Sequence, residues 1–343
     1  MHNITSTLCR RMVVRACYTL LAGVVGWHTI AIVHSQTTPA TPAAPWGQAA
    51  PLLETVSEQA VALLDGKIYT VAGITDTKGT IATVQVYDIA TDTWVWTTPL
   101  PGAVNHNMAA AVNGKLYSFG GQTGSGNIGF VNSTFEYDPA TQKWQQRAPL
   151  PIARSAGATA VLNDKVYVIG GRPPRGNDFA VYDPASDSWT RLPDLPSQRN
   201  HLVAAAINGK IYVTGGRLDA GSRSPLTNVM EIYDPVTNTW SQGQPMPTIR
   251  SGMNGVAANG CLHVFGGEGN ADAENGMFVQ HEVYNPATDS WTKMPDMPIP
   301  VHGVTGGGFQ NGLIYLPGGA RARGNDGRTN LLQTYRPAQT CPK

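Results

Sequence analysis

The segment Lys115-Leu116-Tyr117-Ser118-Phe119-Gly120-Gly121, continued by Thr134-Phe135-Glu136-Tyr137-Asp138-Pro139-Ala140-Thr141-Gln142-Lys143-Trp144, holds one complete unit of a pattern that recurs along the chain. A β-rich run ends at two glycines, where the backbone can adopt conformations and approaches closed to other residues. After a variable loop comes a second run ending in Tyr, a turn, and a Trp seven residues after that Tyr. Upstream, Asn107 to Val112 is small and apolar, and Asn113-Gly114 is a two-residue hairpin signal. Each unit therefore reads as four strands.

The same marks occur six times. The glycine pairs are Ala72-Gly73, Gly120-Gly121, Gly170-Gly171, Gly215-Gly216, Gly266-Gly267 and Gly318-Gly319, spaced 48, 50, 45, 51 and 52 residues apart. The aromatic pairs are Tyr87/Trp94, Tyr137/Trp144, Tyr182/Trp189, Tyr233/Trp240 and Tyr284/Trp291; a sixth Tyr, Tyr335, has no Trp after it. A period of this length means stacked β units closing on themselves. The first strand of each unit is rich in Ala and Gly, as at Ala109-Ala110-Ala111, Ala204-Ala205-Ala206 and Gly306-Gly307-Gly308. Such residues suit the innermost strand, where chains converge.

This pattern resembles the Kelch repeat over residues 46 to 337. The resemblance implies an all-β, six-bladed propeller of four-stranded blades. Three departures are visible: Ala72 for the first Gly, Asn285 for the Asp after Tyr, and no Trp in the last unit. Trp46-Gly47-Gln48-Ala49-Ala50-Pro51-Leu52 reproduces the spacing of Trp144 to Leu150. The N-terminal segment should therefore supply the outer strand of blade six and close the ring, removing an exposed edge.

Composition agrees: 14% charged residues, 38 Gly and 25 Pro fit a turn-dense β domain, and one propeller uses nearly all 343 residues. Residues 46–343 are assigned to it. Residues 1–35 read as a signal peptide: Arg10, Arg11 and Arg15 precede a mostly apolar stretch from Ala16 to Val33. Cys9-Arg10-Arg11-Met12 also resembles a twin-arginine signal; a general secretory signal and an uncleaved membrane anchor are the alternatives. Residues 36–45, rich in Thr, Pro and Ala, read as a semi-extended linker. A periplasmic or secreted monomer is expected, touching membrane only if the first segment is retained.

The chain carries 24 Lys+Arg against 23 Asp+Glu, a net charge of +1; losing the three signal Arg leaves 21 against 23, or −2. Nothing here attracts nucleic acid globally. Removal of the signal also leaves only Cys261 and Cys341. They fall at the start of the second strand of blade five and just past the third strand of blade six, neighbouring blades, so a disulfide tethering the C-terminal tail is expected in an oxidising compartment. Two unrelated thiols are the alternative.

Chemistry should sit on the loops joining second to third strands and blade to blade, which share one face. The first set carries Arg172, Arg175 and Asp178, then Arg217, Asp219 and Arg223, then Glu268, Asp272 and Glu274, then Arg321, Arg323, Asp326 and Arg328. The second set carries Arg154, Arg199 and Arg250, with His302 near the corresponding place in blade six. Converging Arg would take a carboxylate or phosphate through bidentate bonds. Arg is frequent at positions 154, 199 and 250 in Kelch repeats, so loop ordering is the competing role there. Glu268 is the candidate acid or base, since it follows a diglycine where its neighbours have Arg. Exported six-bladed relatives include a bacterial sialic-acid mutarotase with a Glu just after a glycine mark and an Arg a few residues on. Here the loop after Glu268 offers Asp272 and Glu274, so an Arg partner must come from another blade.

No cofactor and no metal site are expected. His106, His201 and His302 begin inner strands of alternate blades, and that spacing holds them apart unless the channel is very narrow. Kelch copper oxidases use a Cys–Tyr cofactor, for which neither Cys261 nor Cys341 is suitably placed. Iron-using relatives space Glu, Asp and His in one loop, but Gly276 interrupts the series begun by Glu268 and Asp272. No phosphate-binding glycine loop of the GxxxxGK[ST] kind occurs. Two readings follow. One is an exported binding module for an anionic small molecule, an acidic sugar or a protein partner. The other is a cofactor-free carbohydrate mutarotase or epimerase using Glu268 with an Arg. A deep pocket in which Glu268 faces an Arg favours the second.

Overall fold

The computed structural model describes residues 44–124, 126–172, 176–219, 221, 223–324 and 326–342. The signal segment 1–35, most of the linker and Arg175 lie outside them. Six blades form a ring, each of four antiparallel strands from the axis outward, with Val304–Thr305 adding a short parallel pairing to Gln59–Leu64 of blade one. Blade two is representative: Met108–Val112, Lys115–Phe119, Thr134–Asp138 and Lys143–Arg147. Among the described residues no helix is long and apolar enough to cross a membrane.

Blade six is completed from the other end of the chain. Strand Trp46–Ala49 pairs antiparallel with Leu332–Tyr335, in the register Trp46↔Tyr335 to Ala49↔Leu332. Trp46 thus stands opposite Tyr335 as Trp144 stands opposite Tyr137. The ring centroids are 4.9 Å apart in the first pair and 5.0 Å in the second. The missing sixth Trp is therefore present in space. Each Trp also stitches neighbouring blades. Trp144 Nε1 donates to Thr98 O at 2.9 Å, Trp189 Nε1 to Ala148 O at 2.8 Å, and Trp46 Nε1 to Pro295 O at 3.2 Å. The apolar core lies between blades, built from Tyr and aliphatic side chains with near-zero exposure such as Tyr182, Val166, Val168 and Phe119.

The diglycines are required where the backbone of the next blade comes close. A Cβ on Gly120 would lie 2.4 Å from Arg154 O, and Gly120 has φ +54°. Ala72 holds the same left-handed conformation at φ 60°.

Cys261 and Cys341 are bonded, with their Cα atoms 5.6 Å apart, inside the usual range. The tail is held further by Asn259 Nδ2 donating to Ala338 O at 2.7 Å and Asn285 Nδ2 donating to Pro342 O at 2.9 Å. An Asp at 285 has no hydrogen to donate, which accounts for that departure from the repeat. The cross-link spans 80 residues of sequence, and its removal is expected to cost about 2–4 kcal/mol. Denaturant melts of Cys261→Ser/Cys341→Ser against the parent, both under non-reducing conditions, measure this; equal midpoints contradict it.

A buried imidazole pair sits under the closure strand. His263 Nδ1 and His281 Nε2 are 3.0 Å apart, and His281 stacks on Phe265 at 4.1 Å. Burial lowers His263 to about 4; burial, with His263 and Arg250 nearby, lowers His281 to about 2. Unfolded His titrates near 6.5. Between that value and the folded ones the unfolded chain binds more protons, so stability falls as pH drops from about 6.5 toward 4. His281→Gln should flatten that slope by up to about 1.4 kcal/mol per pH unit. Unchanged slopes in melts at pH 7, 6 and 5 refute it.

Candidate functional site

Two concentric sets of residues build one end of the channel. Glu58, His106, Ala156, His201, Gly252 and Gly303, one per blade just before the innermost strand, all have φ between +53° and +71°. Their backbones form a closed circle. His106 N–H donates to Glu58 O, Ala156 to His106 O, His201 to Ala156 O, Gly252 to His201 O, and Gly303 to Gly252 O, at 2.8–3.2 Å. Glu58 N–H completes the circle on Gly303 O. This neck is narrow and rigid because every blade contributes one donor and one acceptor to it. Beyond it, the Ala- and Gly-rich inner strands line the opposite mouth, as their small side chains require.

The second set consists of the residues that follow each glycine pair: Ile74, Gln122, Arg172, Arg217, Glu268 and Ala320. Each bridges to the residue before the neck position, as in Ser155↔Arg172, Asn200↔Arg217 and Ser251↔Glu268. The first five line a pocket of about 390 Å³ together with Glu58, Asn105, His106, His302 and Arg328. The diglycine turn aims its following residue at the axis.

Glu268 is 1% exposed and is the electrostatic centre. Arg217 Nη1 lies 2.7 Å from its Oε1, while its Oε2 accepts the Gly324 N–H at 3.1 Å and lies 3.8 Å from His302 Nε2. Burial alone would raise this carboxyl, but His302, Arg217 and the Gly324 N–H outweigh it and hold it below the usual range. Across the pocket Arg172 Nη2 donates to Gln122 Oε1 at 3.2 Å, and burial lowers its guanidinium to about 10, still cationic near neutrality. Glu58 pairs with His106, Oε2 to Nε2 3.1 Å. Burial raises the Glu58 carboxyl, and burial pushes His106 and His201 well down.

Of the residues singled out from the sequence, Arg172, Arg217, Glu268 and His302 are brought together here. Arg154, Arg199 and Arg250 are not: all three are 0–1% exposed inside the seams between blades. Arg154 Nη1 donates to Asp178 O at 2.6 Å, while Arg199 and Arg250 bind Glu231 and Glu282, each at 2.6 Å. They order the loops of the next blade and are withdrawn from the ligand-binding set. Arg321 lines a separate open groove with Arg328. Arg323 packs over Gly276 and donates its backbone N–H to Asn275 O at 2.9 Å.

The expected separation of the histidines is corrected as well. The neck is so tight that the His106 and His201 rings lie 5.1 Å apart. Glu58, Asn105 and Gln122 were missed by sequence reading. Aligning every unit on the position of His106 and His201 finds Glu58, and aligning on the residue after each glycine pair finds Gln122.

The family described as the KLHDC2/KLHL20/DRC7 Kelch-repeats domain matches residues 50–195 and 151–319. The Kelch-like protein terF of Aspergillus terreus is 32% identical over 297 residues, 82% of this chain and 64% of that protein. Kelch repeat and BTB domain-containing protein 12 of Danio rerio is 31% identical over 101 residues, 27% of this chain and 16% of that protein. The chain thus spans less than two thirds of the length of these curated relatives. The solved structure of YjhT superposes with a TM-score of 0.69 at 17% identity, covering 83% of this chain and 96% of that one, a likeness of fold. With six glycine-marked blades, five internal Tyr/Trp pairs and a sixth made by ring closure, the chain belongs to the Kelch-repeat β-propeller family.

Proposed function

We propose that the pocket binds a small carboxylate-bearing sugar and interconverts its anomers, with Glu268 as the base. The observation that supports this most is Glu268 itself: buried, held ionised, and facing Arg217 at the wall of the pocket. Arg172 and Arg217 both line the pocket, and Arg binds carboxylates bidentately. In the reaction, Glu268 takes the proton of the anomeric hydroxyl as the bond from the anomeric carbon to the ring oxygen breaks. A pocket water relays that proton from Glu268 to the ring oxygen, restoring the carboxylate, the carbonyl rotates, and the reverse steps close the other anomer. Atoms balance without oxidant or cofactor, and Arg217 and His302 keep Glu268 positioned.

A second reading, an exported binding module, draws support from the open groove of about 460 Å³ lined by Arg321, Arg328, Asn275 and Asn330, which suits an acidic peptide segment. Export is part of both readings and is supported by the Cys261–Cys341 bond. Magnetisation-exchange NMR on a panel of uronic, sialic and neutral sugars tests the first reading. Accelerated anomer exchange for an acidic sugar is expected; no acceleration for any member rejects it.

A further inference from the structure

We propose that Glu58, His106 and His201 form a binding site for a divalent transition-metal ion at the neck of the channel. The proposal is independent of the sugar reading. One donor atom from each of the three lies within 4.8 Å of the others, and all three side chains are buried.

The protonation pattern is what points to a cation. Asn105 Nδ2 donates to Gly124 O at 3.3 Å, and Asn200 Nδ2 donates to Asp219 O at 3.0 Å, carbonyls that can only accept. Both amides are thereby oriented with their Oδ1 toward the neighbouring imidazole. His106 Nδ1 and His201 Nδ1 lie 2.5 and 2.6 Å from those oxygens. An amide oxygen only accepts, so each Nδ1 must carry the hydrogen, and each neutral ring presents Nε2 as a bare lone pair. His106 Nε2 faces Glu58 Oε2 at 3.1 Å. His201 Nε2 is buried with no hydrogen-bond partner. Glu58 Oε2, His106 Nε2 and His201 Nε2 therefore converge; a proton on Glu58 satisfies only the first two, whereas a cation among them satisfies all three. An Nδ1–H fixed by a second group is the arrangement that orients metal-bound histidines.

Space and rigidity agree. A cavity of about 20 Å³ is bordered by Glu58, His106 and His201, on the order of a single water or ion. Glu58 and His106 also line the large pocket, so one side of the ion would face it. All three backbones are held in the left-handed region by the neck circle. In a tetrahedral site, ligands about 2.1 Å from the ion stand about 3.4 Å apart, so a pair at the 4.8 Å limit must draw in by about 1.4 Å through side-chain rotation. Two imidazoles and a carboxylate suit Zn²⁺, Fe²⁺, Mn²⁺ or Co²⁺ rather than Mg²⁺ or Ca²⁺. Arg172 and Arg217 oppose the charge from above, and Glu268 offsets one of them.

The test is metal content and thermal shift of the full chain after chelation and dialysis against Zn²⁺, Fe²⁺ anaerobically, Mn²⁺ or Co²⁺. About one equivalent of at least one metal should remain, with a rise in Tm. His201→Ala should weaken binding at least 100-fold, and His201→Gln serves if Ala does not fold. The metal-free variant should melt within a few degrees of the metal-free parent. Absence of stoichiometric binding for all four ions overturns the proposal, as does full binding by a folded His201 variant.

Discussion

A chain lacking residues 46–53 should fail to melt cooperatively near the parent temperature, or fail to fold at all. The deletion removes the four-residue ladder Trp46↔Tyr335 to Ala49↔Leu332 and leaves Leu332–Tyr335 as a bare edge. It also removes Leu52, 2% exposed in the core cluster that joins blades one and six. Trp46→Ala separates side chain from backbone. That change keeps the strand but loses the contacts with Tyr335 and Phe265 and the bond to Pro295 O. Loss of a buried Trp costs about 3–5 kcal/mol, and Trp46 is only partly covered, so about 3 kcal/mol is expected. Circular dichroism melts of the three proteins decide it. A truncated chain as stable as the parent would mean the ring does not depend on its N-terminal strand.

Glu268→Gln should lower anomer-exchange turnover by about 10²–10⁴-fold, the usual contribution of a positioned general base, while sugar affinity changes little or improves. Gln keeps the shape, but its single carbonyl oxygen accepts from only one of Arg217 and the Gly324 N–H, and it takes up no proton. The companion Arg172→Ala should raise the Kd for an acidic sugar by tenfold or more, since a charge-assisted hydrogen bond is worth about 1.5–3 kcal/mol. The same variant should leave neutral-sugar binding unmoved. Arg217→Ala is a poorer probe, because it strands the buried Glu268 carboxylate and confuses stability with catalysis. Exchange NMR and calorimetric titration read the two effects separately. Full turnover in Glu268→Gln would contradict the catalytic role; lost affinity without lost turnover at saturation would leave only a binding role.

The architecture was legible in the residues because the repeat is local. Diglycines, Asn-Gly turns and Tyr/Trp spacing each specify a short piece of backbone, and six copies specify a ring. Closure was legible too, since Trp46 to Leu52 repeats an outer strand that the last unit lacks. The cysteine pair followed from the same bookkeeping of strand ends. Arg172, Arg217 and Glu268 were identifiable because the residue after a glycine pair has a fixed direction.

Other features depended on how far apart the blades stand, which no local pattern encodes. Arg154, Arg199 and Arg250 share the loop face in sequence, yet the tertiary structure turns them into the seams, where carbonyls and Glu231 or Glu282 bind them. His106 and His201, 95 residues apart in sequence, approach because six left-handed residues close a hydrogen-bonded circle narrow enough to bring alternate blades together. Glu58 carries no motif of its own and acquires its surroundings only from that circle. The sequence by itself determined the blades, their order and the closing strand; the neck radius, set by backbone bonds between residues far apart in the chain, decided which side chains meet.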